Sequence, residues 1–441
     1  MRIQHLSTIL AAGCLLTNTG CKSTPASNQR AAQPTAYTEV GPTTQKKAHL
    51  TETKGAECLL TLKATPPALP ELPSEMNIPK LRRLADAWFS LPRTTNFVTT
   101  WQNGVPARVA ICEVGNATNS RVLVCIHGFF GTHRDWRYIA AALGRGYRLW
   151  LIDLPGSGAS DPPGLHTPGH EAFHPTAMAD RVCQVLESQL AVHPEVSRLV
   201  LCGTSYGGML ALRMLSDEGL RQRYGPTLTA VEGLVLFAPA DVVITQATET
   251  WNSVLTLNGV KVWLGGTTGI LPSMLRNSIR SGFCDPSLAS GELLNQGQFV
   301  LQNGDCRRST QDLLRYALPW RVWGKRPDWS ARHAIEAAYQ NIQVPCLIVW
   351  GDCDETLSIA MGYKLKDQIP DARLVVVPGA MHLLALEKPR TCAALLREFV
   401  THLKDPGLSA AHSVQTLDPG IEEAIRALSE GVEKSNAVAD D

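Results

Sequence analysis

The chain has 441 residues, 44% of them hydrophobic and 18% charged, a composition that buries a large core and excludes both a disordered chain and a bundle of membrane spans. Lysine and arginine number 41 against 40 acidic residues, so the net charge of +1 gives no electrostatic reason to expect nucleic acid or an acidic polymer as partner. Length and composition suit one large domain with additional segments.

Residues 1–21 differ from the rest. Met1-Arg2 is basic, Leu6 to Leu16 is a short apolar run, and Gly13-Cys14 and Gly20-Cys21 offer small-residue cleavage points, the pattern of an export signal. The apolar run is too short to span a bilayer. A cysteine directly after glycine resembles a bacterial lipoprotein signal, which implies a lipidated cysteine, a membrane anchor and a place in the cell envelope. Leu10-Ala11-Ala12-Gly13-Cys14 has the more apolar approach but leaves a short signal, whereas Asn18-Thr19-Gly20-Cys21 has the length with a polar Asn18. Cys21 is favoured, Cys14 stays open, and an unlipidated secretory signal fits the same residues. Residues 22–79 are rich in Thr, Pro, Ala, Ser and Gln without sustained periodicity and read as a tether.

The core is expected over residues 80–240 and 344–403. Leu81 to Phe89 predicts a helix stopped by Pro92, and Gln102-Asn103-Gly104 predicts a hairpin between strands Phe97 to Trp101 and Ala107 to Val114. Apolar runs at Arg121 to Ile126, Arg148 to Ile152, Arg198 to Cys202 and Val231 to Phe237 then alternate with helical stretches at Trp136 to Leu143 and Thr176 to Val192. Strands apolar on both faces, separated by amphipathic helices, indicate a mainly parallel sheet covered on both sides.

Over residues 241–343 the alternation stops. Trp251, Trp263, Trp320, Trp323 and Trp329 lie here with helical windows such as Leu313 to Trp320, which reads as a helical lid; the aromatics suit an apolar substrate cover and equally the packing of the lid on its own domain. The alternation resumes with strands at Pro345 to Trp350 and Arg373 to Val377 and helices at Met361 to Ile369 and Arg390 to Leu403. In the tail, 404–441, Ile421, Ala424, Ile425 and Leu428 form one helical stripe.

Gly203-Thr204-Ser205-Tyr206-Gly207 follows one of the buried strands and precedes a helix-forming stretch, so the strand must turn sharply and expose the serine hydroxyl. A serine nucleophile needs a neutral histidine, and that histidine needs a carboxylate. Trp350-Gly351-Asp352-Cys353-Asp354 follows one later strand and Pro378-Gly379-Ala380-Met381-His382 the next, beyond the C-terminal ends of parallel strands, where open α/β sheets place their sites.

From about Phe97 to Leu403 these motifs together resemble the α/β-hydrolase superfamily. The resemblance implies a doubly covered, mainly parallel sheet with a helical lid insertion. It implies Ser205 as nucleophile, His382 as base and Asp354 as acid, with Asp352 the fallback. His127-Gly128-Phe129 matches the loop whose N–H at Phe129 joins that of Tyr206 in an oxyanion hole. His127, Gly128, Gly203 and Gly207 are then supporting loop residues. Asp153-Leu154-Pro155-Gly156-Ser157-Gly158 and Gly379-Ala380-Met381-His382 with Glu387 and Pro389 match further motifs, while Ser358 stands where relatives often carry Pro. The implied activity is hydrolysis of a small, apolar carboxylic ester, with no cofactor and no metal. The same triad in relatives cleaves thioesters, amides or carbon-carbon bonds or makes peracids, and some members bind ligands with little turnover. Neither oligomeric state nor leaving group is legible.

Other residues have plainer readings. His166, His170 and His174 recur every four residues, but Pro168 and Gly169 interrupt any helix, so they read as loop histidines rather than a metal face. Asp241 follows the strand before the lid, where some relatives carry the acid. Cys112, Cys125, Cys202 and Cys346 fall inside strands and fill core volume. Cys346 and Cys353 bracket one strand and are too far apart to bond. Cys284 and Cys306 are the disulfide candidates of an exported chain, or two solitary lid cysteines.

Overall fold

Asn103 and Gly104 both take left-handed backbone angles, φ 49° and 76°, as a two-residue turn between twisted strands requires. They join β1 (Arg93–Gln102) to β2 (Val105–Gly115) as an antiparallel pair. The apolar runs that follow form β3 (Arg121–Ile126), β4 (Arg148–Ile152), β5 (Arg198–Thr204), β6 (Val231–Phe237), β7 (Cys346–Gly351) and β8 (Ala372–Val377), all parallel to one another. Every residue of β3, β4 and β7 is buried, which explains runs without polar alternation.

The computed structural model describes residues 78–162, 171–241, 270–302, 309, 312–313, 316–317, 320–321, 326–403 and 414–416. Cys14, Cys21, the tether, His166, His170, Trp251, Trp263, Trp323, Cys306 and the stripe from Ile421 to Leu428 lie outside the described residues.

The strand order is β1-β2-β4-β3-β5-β6-β7-β8, closed by a short β9 (Val414–Thr416) parallel to β8. From β3 the chain moves outward to β4, then crosses back over β3 to β5. Both crossovers are right-handed by the usual rule, so their helices lie on opposite faces. The loops leaving β3 and β5 therefore diverge and open a crevice, with Ile126 beside Gly203 in register. On one face α1 (Pro79–Ser90) packs on α2 (Arg137–Leu143), and α2 on the closing helix Pro389–His402; α3 (Pro175–Val192) packs with α4 (Tyr206–Ser216). The α1 helix buries Leu81, Leu84, Ala85 and Trp88, one apolar stripe.

The insertion between β6 and β7 contains α5 (Ile270–Ser281), α6 (Gly291–Gln302) and α7 (Trp329–Ala337). It is not wholly helical. Leu313 and Tyr316 are helical, as expected over 313–320, but Trp320 belongs to a two-residue strand, Trp320–Arg321, paired with Arg326–Pro327. In the sequence Trp320 is preceded by Pro319, a residue that lacks the N–H a continuing helix needs. Trp329 is 45% exposed, with the Arg332 guanidinium 5.2 Å from its ring. His174 caps α3, its ring nitrogen accepting from the Thr176 N–H at 3.4 Å. Asp241 is buried and accepts the Tyr339 hydroxyl at 2.6 Å.

The insertion is tied to the loop after β3. Arg134 pairs with Glu292 at 2.6 Å, the Gln296 amide donates to the Phe130 carbonyl at 3.3 Å, and Arg137 reaches Ser290 Oγ at 3.5 Å. Asp135 is buried behind this junction. Burial pushes its carboxyl up to about 6, an effect that Arg137 opposes and Asp153 reinforces. The folded chain thus holds this proton more tightly than the unfolded one. The contribution of Asp135 to stability is fully present below about pH 4 and is lost as pH rises through about 6. Asp135→Asn, which cannot ionise, is expected to flatten that part of the pH profile. Urea midpoints measured from pH 4 to 8 should show the wild type losing on the order of 2 kcal/mol relative to the variant.

Candidate active site

At the end of β5 the backbone bends so sharply that Ser205 sits at φ 50° and ψ −118°, a region costly for a residue with a Cβ. Neighbouring strands hold it there. Its N–H donates to the Phe237 carbonyl at 3.0 Å, and its carbonyl accepts from Ala240 at 2.9 Å and from Gly208 at 3.0 Å. The turn closes only on glycine: a Cβ at Gly203 would lie 2.6 Å from the Gly207 carbonyl oxygen, and one at Gly207 2.2 Å from that of Ile126.

The strained turn aims Ser205 Oγ at His382 Nε2, 3.0 Å away. Nδ1 of the same ring lies 2.9 Å from Asp354 Oδ2. An aspartate accepts only, so Nδ1 carries the proton and Nε2 is left to accept from the serine hydroxyl. The other oxygen of Asp354 is occupied by the N–H groups of Thr356 and Leu357, both at 2.9 Å, which fixes the carboxylate plane. The side chains of Asp354 and His382 are 0% and 8% exposed, so the relay is shielded from water. Asp352, the alternative acid, instead accepts the Gly379 N–H at 2.8 Å and pins the histidine loop to the acid loop. Asp241 belongs to the Tyr339 contact and not to His382.

The loop after β3 runs past the serine. A Cβ on Gly128 would come within 3.0 Å of Ser205 Cβ and 3.6 Å of its Oγ. The Phe129 ring stacks on that of Tyr206 at 4.3 Å, so the two residues whose N–H groups were expected to face one oxygen are packed together. Tyr206 opens α4, and the first N–H groups of a helix have no intrahelical acceptor. Desolvation drives the Tyr206 phenol far above its ordinary range, so it stays neutral.

His127 is buried away from the relay. Its Nε2 accepts the Leu154 N–H at 3.0 Å and its Nδ1 donates to the Gly128 carbonyl at 2.8 Å. Burial lowers its pKa, keeping the ring neutral, as that donor and acceptor pattern demands. Asp153, at the head of the matching loop after β4, accepts from the His133 N–H at 2.6 Å and from Ala159 at 2.9 Å. Burial alone would raise its carboxyl, but the charge and hydrogen bond of His133 outweigh that and hold it below the usual range.

Two supports escaped the sequence reading. His133 has no motif around it. Glu387 was matched as part of a motif without a role: one oxygen accepts the Met381 N–H at 2.8 Å and the other the Cys284 N–H at 2.6 Å, bracing the turn that presents His382. A carboxylate one short helix beyond a loop histidine was the available signal.

A hydroxyl donating to a neutral imidazole that is itself held by a carboxylate can be deprotonated as it attacks an electrophilic carbon. Comparison with known proteins gives the family. The model of the alpha/beta hydrolase family matches residues 123–395. Monoacylglycerol lipase abhd6-A of Xenopus laevis is 23% identical over 316 residues, covering 68% of this chain and 80% of the lipase. The pimeloyl-[acyl-carrier protein] methyl ester esterase of Nitrosospira multiformis is 26% identical over 281 residues, covering 60% and 89%. The solved structure of a thermophilic esterase from Thermogutta terrifontis superposes with a TM-score of 0.50 at 21% identity, covering 71% of this chain and 99% of the esterase. With a family match that runs from within β3 through β8 and includes the Ser205 turn and both later loops, this chain belongs to the alpha/beta hydrolase family.

Proposed function

We propose that the protein is a serine hydrolase that cleaves carboxylic esters through an acyl-enzyme on Ser205. The observation that carries this reading is the unbroken relay from Ser205 Oγ through His382 to Asp354, at 3.0 and 2.9 Å. Ser205 attacks the acyl carbonyl while His382 Nε2 takes its proton, and Asp354 stabilises the imidazolium. The N–H groups of Phe129 and Tyr206 hold the oxyanion, each worth about 3 to 4 kcal/mol in the transition state. The imidazolium then gives its proton to the departing alcohol. In the second half, water loses a proton to His382 and attacks the acyl group, and Ser205 leaves. The relatives named for lipase and methyl esterase activity support an ester as the bond cleaved.

Ser205→Ala should lower ester turnover by about 10⁴-fold or more with the denaturation midpoint nearly unchanged, because the relay acts as a unit. A fluorophosphonate probe should label the wild type at Ser205. A folded protein that stays unlabelled would turn the reading toward ligand binding without turnover. Matched p-nitrophenyl ester, thioester and anilide substrates of several chain lengths should give the highest kcat/KM for an ester; a preference for either of the others would overturn the bond assignment.

The N-terminal sequence supports a further proposal, that the enzyme is carried to the bacterial envelope and anchored there by a lipid on Cys21. Labelling of cells with a radioactive fatty acid should mark the wild type and Cys14→Ser but not Cys21→Ser. Label lost only in Cys14→Ser would move the anchor to the earlier cysteine.

A further inference from the structure

Cys353 lies on the acid loop immediately before Asp354, and its N–H donates to the Ala380 carbonyl at 3.1 Å. Cys284 lies at the foot of the insertion, just past α5. Its N–H is held by Glu387, and the carbonyl of nearby Gly282 accepts the Leu383 N–H at 3.1 Å. Both backbones are thus fixed within a residue or two of the sulfurs by bonds to the one loop that presents His382. Anchored at Ala380 and, through Glu387, at Met381, the two cysteines are close enough to perturb each other's ionisation, and both residues are exposed. A second thiol pair, Cys125 and Cys202, meets across β3 and β5 but is fully buried, closed to any reagent. Cysteine pairs that can react must be both close and reachable. Among the described residues these two conditions meet at Cys284 and Cys353.

We propose that Cys284 and Cys353 are an oxidisable pair that closes into a disulfide, stapling the foot of the insertion to the loop that carries Asp354. The oxidant is a disulfide, either a small molecule or an oxidised dithiol carrier. The thiolate of one cysteine attacks an oxidant sulfur and expels the first thiolate, leaving a mixed disulfide. The second cysteine attacks the protein sulfur of that bond and expels the other. The protein loses two protons and two electrons, and the oxidant leaves as two thiols. The link spans positions 284 to 353, a long loop in the unfolded chain, so its main effect is on stability.

The surroundings favour a bond that forms slowly and persists. Desolvation, reinforced by the Glu387 carboxylate, pushes the Cys284 thiol up to about 12, and the bond to Asp352 raises Cys353 as well. Thiols that ionise reluctantly attack slowly at neutral pH. They are also poor leaving groups, which protects the finished disulfide from reduction. This pairing differs from the Cys284 and Cys306 candidates of the sequence, the second of which lies outside the described residues; Cys353 lies far along the sequence, on the strand end that the sheet brings to the foot of the insertion.

The test uses the full chain, incubated with oxidised glutathione at about pH 8.5, where more thiolate is present. Remaining thiols are then capped with iodoacetamide and the protein is digested. The expected product is one cross-linked peptide joining Cys284 to Cys353, with Cys125 and Cys202 capped after denaturation as internal controls. The oxidised protein should melt about 5 °C higher than the dithiothreitol-reduced one. That difference should vanish in Cys284→Ser and in Cys353→Ser. Capped or singly glutathionylated thiols at both positions, or a bridge from Cys284 to Cys306, overturn the proposal. So does a melting difference that survives in both variants. Cross-linking and melting are read without substrate, so this outcome and that of the ester assignment are independent.

Discussion

The whole site depends on a backbone angle that a serine does not willingly adopt. Ser205 at φ 50° turns the end of β5 into α4 and leaves its hydroxyl standing clear of the strand. Such a conformation costs on the order of 1 to 3 kcal/mol and persists only when its surroundings over-determine it. Here they do: β6 takes the serine N–H, the residues after β6 return a donor to its carbonyl, and the loop after β3 closes against the glycines. The centre of the sheet maintains the strain, so the hydroxyl is in position before any ligand arrives.

The supporting loops are bound to each other. Asp352 holds the histidine loop, Glu387 holds that loop and the insertion together, and His127 joins the loop after β3 to the one after β4. The insertion in turn grips the β3 loop through Glu292 and Gln296. The insertion and the loop that passes Ser205 are therefore one connected unit.

The core strands were legible because burial on both faces leaves no polar residue to blur a run, as at Val122 to Ile126 and Leu347 to Val349. The hairpin was legible because Asn103 and Gly104 suit left-handed angles. The Ser205, Asp354 and His382 set was readable because each follows a strand, and the sheet converts that order into proximity. What was hidden depends on long-range contact. His133 reaches Asp153, Asp135 meets Gln296, and Cys284 finds Cys353, and no local pattern marks any of these pairs. The strand Val414–Thr416 was hidden for another reason: three residues are too few to show a period of two. Trp320 was misassigned because the apolar spacing of 313–320 was weighed above Pro319.

That short strand has a consequence for how the protein is made. The parallel sheet runs outward to β8, whose outer row of peptide groups is met by Val414–Thr416. Until the ribosome has delivered those residues, Leu374 and Val376 front an open sheet margin, the kind of surface on which chains pair with the wrong neighbour. Every strand that positions Ser205, Asp354 and His382 is already synthesised by then. The last described segment of the chain thus acts as a selvedge, finishing a fabric whose pattern is complete before its border is sewn.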